Sequence, residues 1–312
     1  MEHHARLARP RSGVKAMVLL PLALAALVGG AIAVRPLQVA SAHVADAYAL
    51  TTLMDGIDYR IAPLGQPESR VPRLVLQRLP DGMAALDVER DRKRTFLRAL
   101  LPLILSVNEA ILKDREDLIA LRDALDGGET LDDDGMDRLR RLAQAYRLAA
   151  PTEATLREAV EALLLRVDIV PPSLALAQGA VESGWGTSRF ALEGNALFGQ
   201  SAWGEDGMAP LGHQEPPFHV ASFPSLRDCV AAYAANLNSH TAYTGFRTLR
   251  AQQREAGQQP DGRALAATLL AYAETGAVYT GTLRSVIDSN GLAMFDHVLL
   301  DEGRTLIVMA SR

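Results

Sequence analysis

Two consecutive prolines, Pro171 and Pro172, followed by nine uncharged residues, Ser173 to Val181, constrain this chain more than any other feature. The prolines stop whatever precedes them and allow a new helix from Ser173. Leu174, Ala177 and Val181 form its apolar side, and the small residues Ala175, Gly179 and Ala180 occupy the rest. A helix that is apolar nearly all round has no face for water, so this one is expected to run through the core with other elements packed about it. Gly184 is a typical stop just past a helix end.

Glu182 does not fit that helix. It stands in the last turn, where the negative end of the helix dipole and burial both disfavour its charged form and raise its pKa. A carboxyl group kept protonated near neutral pH suits a general acid, and cleavage of a glycosidic bond requires one to protonate the leaving oxygen. A solvated glutamate on a helix tip is the plain alternative. The flanking residues favour the first reading. Ser183-Gly184-Trp185-Gly186 and Gly194-Asn195-Ala196-Leu197-Phe198-Gly199 are two glycine-rich turns around a short helix. Such turns let backbone approach a ligand, and Trp185 and Phe198 can supply apolar walls for a sugar ring.

The run from Ala177 to Gly186 resembles the catalytic motif of glycoside hydrolase family 73, the bacterial endo-β-N-acetylglucosaminidases, and Gly194–Gly199 resembles that family's second motif. The sequence is similar more narrowly to the bacterial Bax-like proteins, from about Asp91 to Leu292, including Leu101-Pro102-Leu103 and the stretch Tyr272 to Tyr279. The resemblance implies a mainly α, lysozyme-like domain with a small β-lobe, preceded by an N-terminal helical region. It implies cleavage of peptidoglycan strands after N-acetylglucosamine, with Glu182 as acid and Tyr279 in the cleft. Trp185, Gly186, Asn195 and Phe198 then become substrate-binding candidates, and Tyr272 a structural residue. The β-lobe is expected between Ser201 and Phe223. Glu205, Asp206 or, ranked lower, Glu215 can act there as the base, unless the substrate's own N-acetyl group assists. A lytic transglycosylase on the same fold and a non-catalytic wall-binding protein are the competing readings.

The first segment concerns the compartment. Arg6, Arg9, Arg11 and Lys15 precede an uncharged stretch from Ala16 to Val34. This is the order of an export signal, with small-residue cleavage patterns at Ala31-Ile32-Ala33 and Ala40-Ser41-Ala42. The stretch is also just long enough to stay as a membrane anchor, and in either case the rest of the chain is expected outside, in the periplasm. Residues 1–42 are therefore read as signal or anchor.

Residues 43–88 read as an extended linker because Pro63, Pro67, Pro72 and Pro80 interrupt them. Residues 89–150 read as a helical accessory region. Phe96, Leu100, Leu103, Ile104, Val107 and Ile111 recur at helical spacing, Pro102 should kink the helix, and Glu109 and Lys113 form an i,i+4 pair. The acidic stretch from Asp126 to Asp134 lacks a calcium-loop order and reads as a turn that caps the next helix. The catalytic domain is expected over 151–300, opening with a Thr155/Glu158 capping box, and 301–312 reads as a tail. Within it, helices are expected from Ser225, over Leu265–Tyr272 and over Ala277–Asn290, with Asn236, Asn238 and His240 facing the cleft. The formal charge of −5 offers no basic footprint for nucleic acid. His213 and His219 lack ligand spacing, so no metal or other cofactor is expected. The single cysteine, Cys229, reads as core filler.

Overall fold

The computed structural model describes residues 39–61, 69–202, 207–209 and 219–311. Residues 1–38 of the export segment, and the candidates Glu205, Asp206, Glu215 and His213, lie outside them, whereas Ala40-Ser41-Ala42, read as a cleavage pattern at the segment's end, belongs to a strand paired with the C-terminal one. The described helices are α1 (Ala47–Gly56), α2 (Lys93–Asp126), α3 (Asp133–Ala145), α4 (Leu156–Arg166), α5 (Pro172–Ser183), α6 (Arg189–Gly194), α7 (Leu226–Ser239), α8 (Thr244–Glu255), α9 (Gly262–Ala266) and α10 (Ala277–Ser289). The strands are short: β1 (Ala40–Val44), β2 (Arg70–Val71), β3 (Leu74–Leu76), β4 (Ser201–Ala202), β5 (His219–Val220), β6 (Leu299–Leu300) and β7 (Leu306–Ala310). The fold is mainly α, as the sequence implies.

The expected central helix is α5. Every residue from Pro172 to Ala180 is buried, because α2, α9, α10 and the 3-10 turn Leu292–His297 surround it. Gly179 sets the closest approach: a Cβ there would stand 3.0 Å from Leu100 of α2. Helix α2 is long and apolar enough to cross a membrane by length and composition. Its apolar window is nevertheless 78 % buried inside the protein, so it serves as a core helix here. It continues through Pro102, which is itself buried. The missing N–H therefore does not end the helix, and the surrounding packing of Phe96 to Val107 holds that stretch in place.

Three expectations about the ends of the chain are corrected. Residues 43–88 are not an extended linker. Leu50 and Met54 of α1 are buried, as are Tyr59, Leu74, Leu76, Leu79 and Met83, so this segment contributes core side chains. Residues 301–312 are not a tail. β7 is the middle strand of a parallel sheet in the order β1-β7-β3, with Ala40 opposite Leu306 and Leu74 also opposite Leu306. β2 pairs β6 in the same parallel sense. One apolar cluster runs from Val44 to Val308, so residues 89–150 share the core of the domain expected over 151–300.

Local details also differ. Glu109 receives a bidentate hydrogen bond from Arg73, at 2.8 Å on each oxygen, instead of pairing with Lys113. Guanidinium geometry makes that the stronger pairing. The capping box is formed by Thr152 and Thr155 ahead of a 3-10 turn, and α4 begins at Leu156. The helix expected over Leu265–Tyr272 ends at Ala266 and continues as turns. Asp132 caps α3 as the acidic turn suggests, accepting from the Gly135 N–H. Asn238 is buried and faces away from the cleft. It donates to the Asp168 carbonyl and accepts from Arg250, which also donates to the carbonyls of Arg166, Asp168 and Ile169. That buried guanidinium ties the end of α4 to α7 and so fixes where α5 begins.

Candidate active site

Helix α5 is anchored at both ends. Pro171 offers no side-chain cap, and Asp296 supplies one from 123 residues away. Its Oδ1 accepts from the Ser173 N–H and its Oδ2 from the Ser173 hydroxyl, each at 2.7 Å, while Oδ2 also accepts from the Gly262 N–H. Burial pushes the Asp296 carboxyl up to about 6 despite these donors. At the other end Gly184 adopts the left-handed conformation, φ +58°, and Trp185 and Gly186 follow with φ of +59° and +80°. A left-handed tryptophan is strained. Its ring is held edge-on to Phe96, centroids 5.8 Å apart, with the Lys93 ammonium 5.4 Å from its centre.

Glu182 is half-buried in the last turn of α5. Burial raises its pKa, and the hydrogen bond from Tyr279 partly offsets the rise. The Tyr279 hydroxyl, on the first turn of α10, donates to Oε1 at 2.7 Å. Oε2 faces Gly199, where a Cβ would stand only 2.7 Å away. The absence of a side chain there, in a backbone at φ +62°, is what lets the carboxyl oxygen pack directly against the loop. The loop bearing Gly199 is held by Tyr272, whose hydroxyl donates to the Phe198 carbonyl at 2.7 Å and whose ring stacks on Tyr279, centroids 5.5 Å apart. No carboxylate among the described residues perturbs Glu182 electrostatically.

Glu182, Tyr279 and the Gly194–Gly199 turn therefore meet. Three of the expected substrate contacts do other work. Phe198 is 1 % exposed and stacks on Tyr233 at 4.0 Å, inside the core and not as a wall for a sugar. Asn195 is buried and donates to the Phe223 carbonyl at 3.0 Å, pinning the turn across the small β-pair. Gly186 packs against Leu79 and Phe96, with no space for a Cβ. Trp185 is half-buried, and its described ring contacts are to α2. The β-lobe expected over Ser201–Phe223 is represented by the antiparallel pair β4–β5 and a bridge from Met208 to Val220. His219 belongs to β5. Cys229 is buried beneath the same turn, its Sγ accepting from the Leu197 N–H at 3.4 Å. Burial pushes its thiol up to about 12, the reverse of a nucleophile's shift.

Two buried residues next to this site were not singled out. The Tyr233 hydroxyl donates to Gln178 Oε1 at 2.6 Å, and Gln178 Nε2 donates to the Tyr279 hydroxyl at 2.9 Å. Gln178 carried a signal: it is a polar residue four positions before Glu182 in an otherwise apolar helix, hence on the same face.

Comparison with known proteins bears on the family to which the chain belongs. The family described as "Glucosaminidase: Mannosyl-glycoprotein endo-beta-N-acetylglucosaminidase" matches residues 157–292. Protein bax of Escherichia coli (strain K12) is 34 % identical over 211 residues, spanning 66 % of this chain and 73 % of that protein. The crystal structure of the catalytic domain of the autolysin Auto from Listeria monocytogenes aligns with 69 % of this chain and 93 % of its own, at 17 % identity and a TM-score of 0.34. Identity at this level over most of both sequences leaves one assignment: the chain belongs to the Bax-like proteins of the glucosaminidase family of glycoside hydrolases.

Proposed function

We propose that this chain is an exported endo-β-N-acetylglucosaminidase that cuts the glycan strand of peptidoglycan after N-acetylglucosamine, with Glu182 as its general acid. The observation that carries the reading is the environment of Glu182. Burial favours its protonated form, Tyr279 occupies Oε1, and Oε2 packs against Gly199 with no hydrogen bond from the described residues, so it is the oxygen left to carry a transferable proton. A protonated Oε2 gives its proton to the glycosidic oxygen as the bond to the anomeric carbon breaks. Water then completes the hydrolysis. Glu205 or Asp206 serves as its base, or the substrate's N-acetyl group assists in place of either. The part of the export segment ahead of β1 delivers the domain to the periplasmic side as a cleaved signal or an anchor.

The test is digestion of purified peptidoglycan by the full-length protein beside a Glu182→Gln variant, with products reduced by borohydride and identified by mass spectrometry. Reduced N-acetylglucosamine ends that vanish in the variant are the expected result. Anhydro-muramic ends would move the chain to the lytic transglycosylases. Binding without turnover would make it a wall-binding protein.

A further inference from the structure

The hydrogen-bonded row behind Glu182 has a direction. An amide oxygen only accepts and an amide nitrogen only donates. Tyr233 must therefore donate to Gln178 Oε1, and Gln178 Nε2 must donate to the Tyr279 oxygen. The single proton of Tyr279 is then free to point only at Glu182 Oε1. Gln178 has no exposed surface and the Tyr233 ring is clamped against Phe198, so the row is closed to water. We infer that Gln178 and Tyr233 are positioning residues whose hydrogen bonds confine the acid proton of Glu182 to Oε2, the oxygen beside Gly199. This rests on the reading of Glu182 as the acid and adds how its proton is assigned to one oxygen.

The reverse orientation shows what the pair prevents. With the Gln178 amide turned over, its oxygen would take the Tyr279 proton. The Tyr279 oxygen would then accept from a proton on Glu182 Oε1, leaving none on Oε2. Among the described residues, the groups facing Glu182 from neighbouring elements are Tyr279 on α10, Tyr233 on α7, Tyr243 after α7 and Tyr272 before α10. Burial holds all four phenols above their ordinary pKa, so each keeps its proton.

The experiment follows the Glu182 carboxyl by carbon-13 NMR titration of the full-length protein, assigned with Glu182→Gln, in wild type, Gln178→Met, Tyr279→Phe and the double variant. Alongside it, kcat is measured across pH. Removing Gln178 lets a proton on Oε1 bond to Tyr279, which stabilises the neutral acid in its unproductive form. The titration should move to higher pH in Gln178→Met. The low-pH plateau of kcat should fall roughly fivefold, the weight of one net hydrogen bond. In the Tyr279→Phe background the same substitution should change neither. A mere packing role would lower stability without moving the titration, and that result would overturn the inference, as would an equal effect of Gln178→Met with and without Tyr279. Should Gln178→Met not fold, Tyr233→Phe keeps the ring on Phe198 and removes only the hydroxyl. It should shift the titration in the same direction, and an unmoved titration would overturn the inference. An active Glu182→Gln variant would sink the proposed function while leaving the titration result to be judged by itself.

Discussion

Gly199→Ala separates the two duties of the glycine beside Glu182. An alanine there must adopt φ +62°, which costs an L-residue about 1–2 kcal/mol. Its methyl would also stand 2.7 Å from Glu182 Oε2, against an ordinary contact of 3.4 Å or more. Something must move by about 0.7 Å, the difference between the two. The loop is held by Tyr272 through the Phe198 carbonyl, whereas Oε2 is the far end of a flexible side chain, so the carboxyl yields. A misplacement near 1 Å costs on the order of 10²-fold in rate, equivalent to about 2.7 kcal/mol on the barrier.

Gly291 supplies the control. Its φ is +61°, nearly the same backbone, and nothing lies within 4 Å of the position its Cβ would take. Thermal unfolding of Gly199→Ala and Gly291→Ala should therefore fall by similar amounts, about 2–4 °C for each kcal/mol. Turnover of peptidoglycan should drop about 10²-fold only in Gly199→Ala. Equal turnover in the two variants would refute the claim that Oε2 keeps its position only against a residue without a side chain.

Three further outcomes follow from the same geometry. Glu182→Gln should abolish turnover yet raise thermal stability at neutral pH. The folded-state pKa of Glu182 is raised, so its contribution is favourable at low pH and lost as pH rises through that value. The gain should therefore vanish below the ordinary glutamate range, and a gain that persists in acid would contradict burial as the cause. Asp296→Asn removes a pH dependence without a matching gain, because an amide cannot accept from all three of the Asp296 donors: with the folded carboxyl at about 6 and the ordinary value at 3.8, the wild type loses roughly 3 kcal/mol between those pH values, and denaturant titrations of the variant should lack that slope. Removing residues 306–312 takes out the middle strand of the three-stranded sheet together with buried Val308, and circular dichroism should then report loss of the cooperative unfolding transition.

Helix α5 was legible because its composition leaves one solution: nine uncharged residues between a proline pair and a glycine can only be buried. The long α2 pattern was legible for a similar reason, the repetition of Phe96, Leu100, Leu103 and Val107 at helical spacing. The ends of the chain were not. β1 and β3 are five and three residues long, too short to display alternation, and their partner β7 lies more than 200 residues further on. The four prolines from Pro63 to Pro80 read locally as a linker, yet Leu50 and Met54 ahead of them lie on the core face of α1 at four-residue spacing. Short parallel strands earn their stability from the side chains they bury, which no local window reveals.

The site divides along the same line. Glu182 and Gln178 share one face of one helix, so their neighbourhood is a property of sequence spacing. Tyr233 and Tyr279 join them from 55 and 101 residues away from Gln178, through packing alone. Phe198 and Asn195 were read as touching a ligand because aromatic and amide side chains beside glycines are what binding turns use. The structure spends both on holding the turn, Phe198 under Tyr233 and Asn195 on the Phe223 carbonyl. That inversion is physically consistent. A carboxyl oxygen that packs this closely on a loop needs a neighbour without a side chain, here Gly199, and that neighbour keeps its position only if the residues beside it are locked from within.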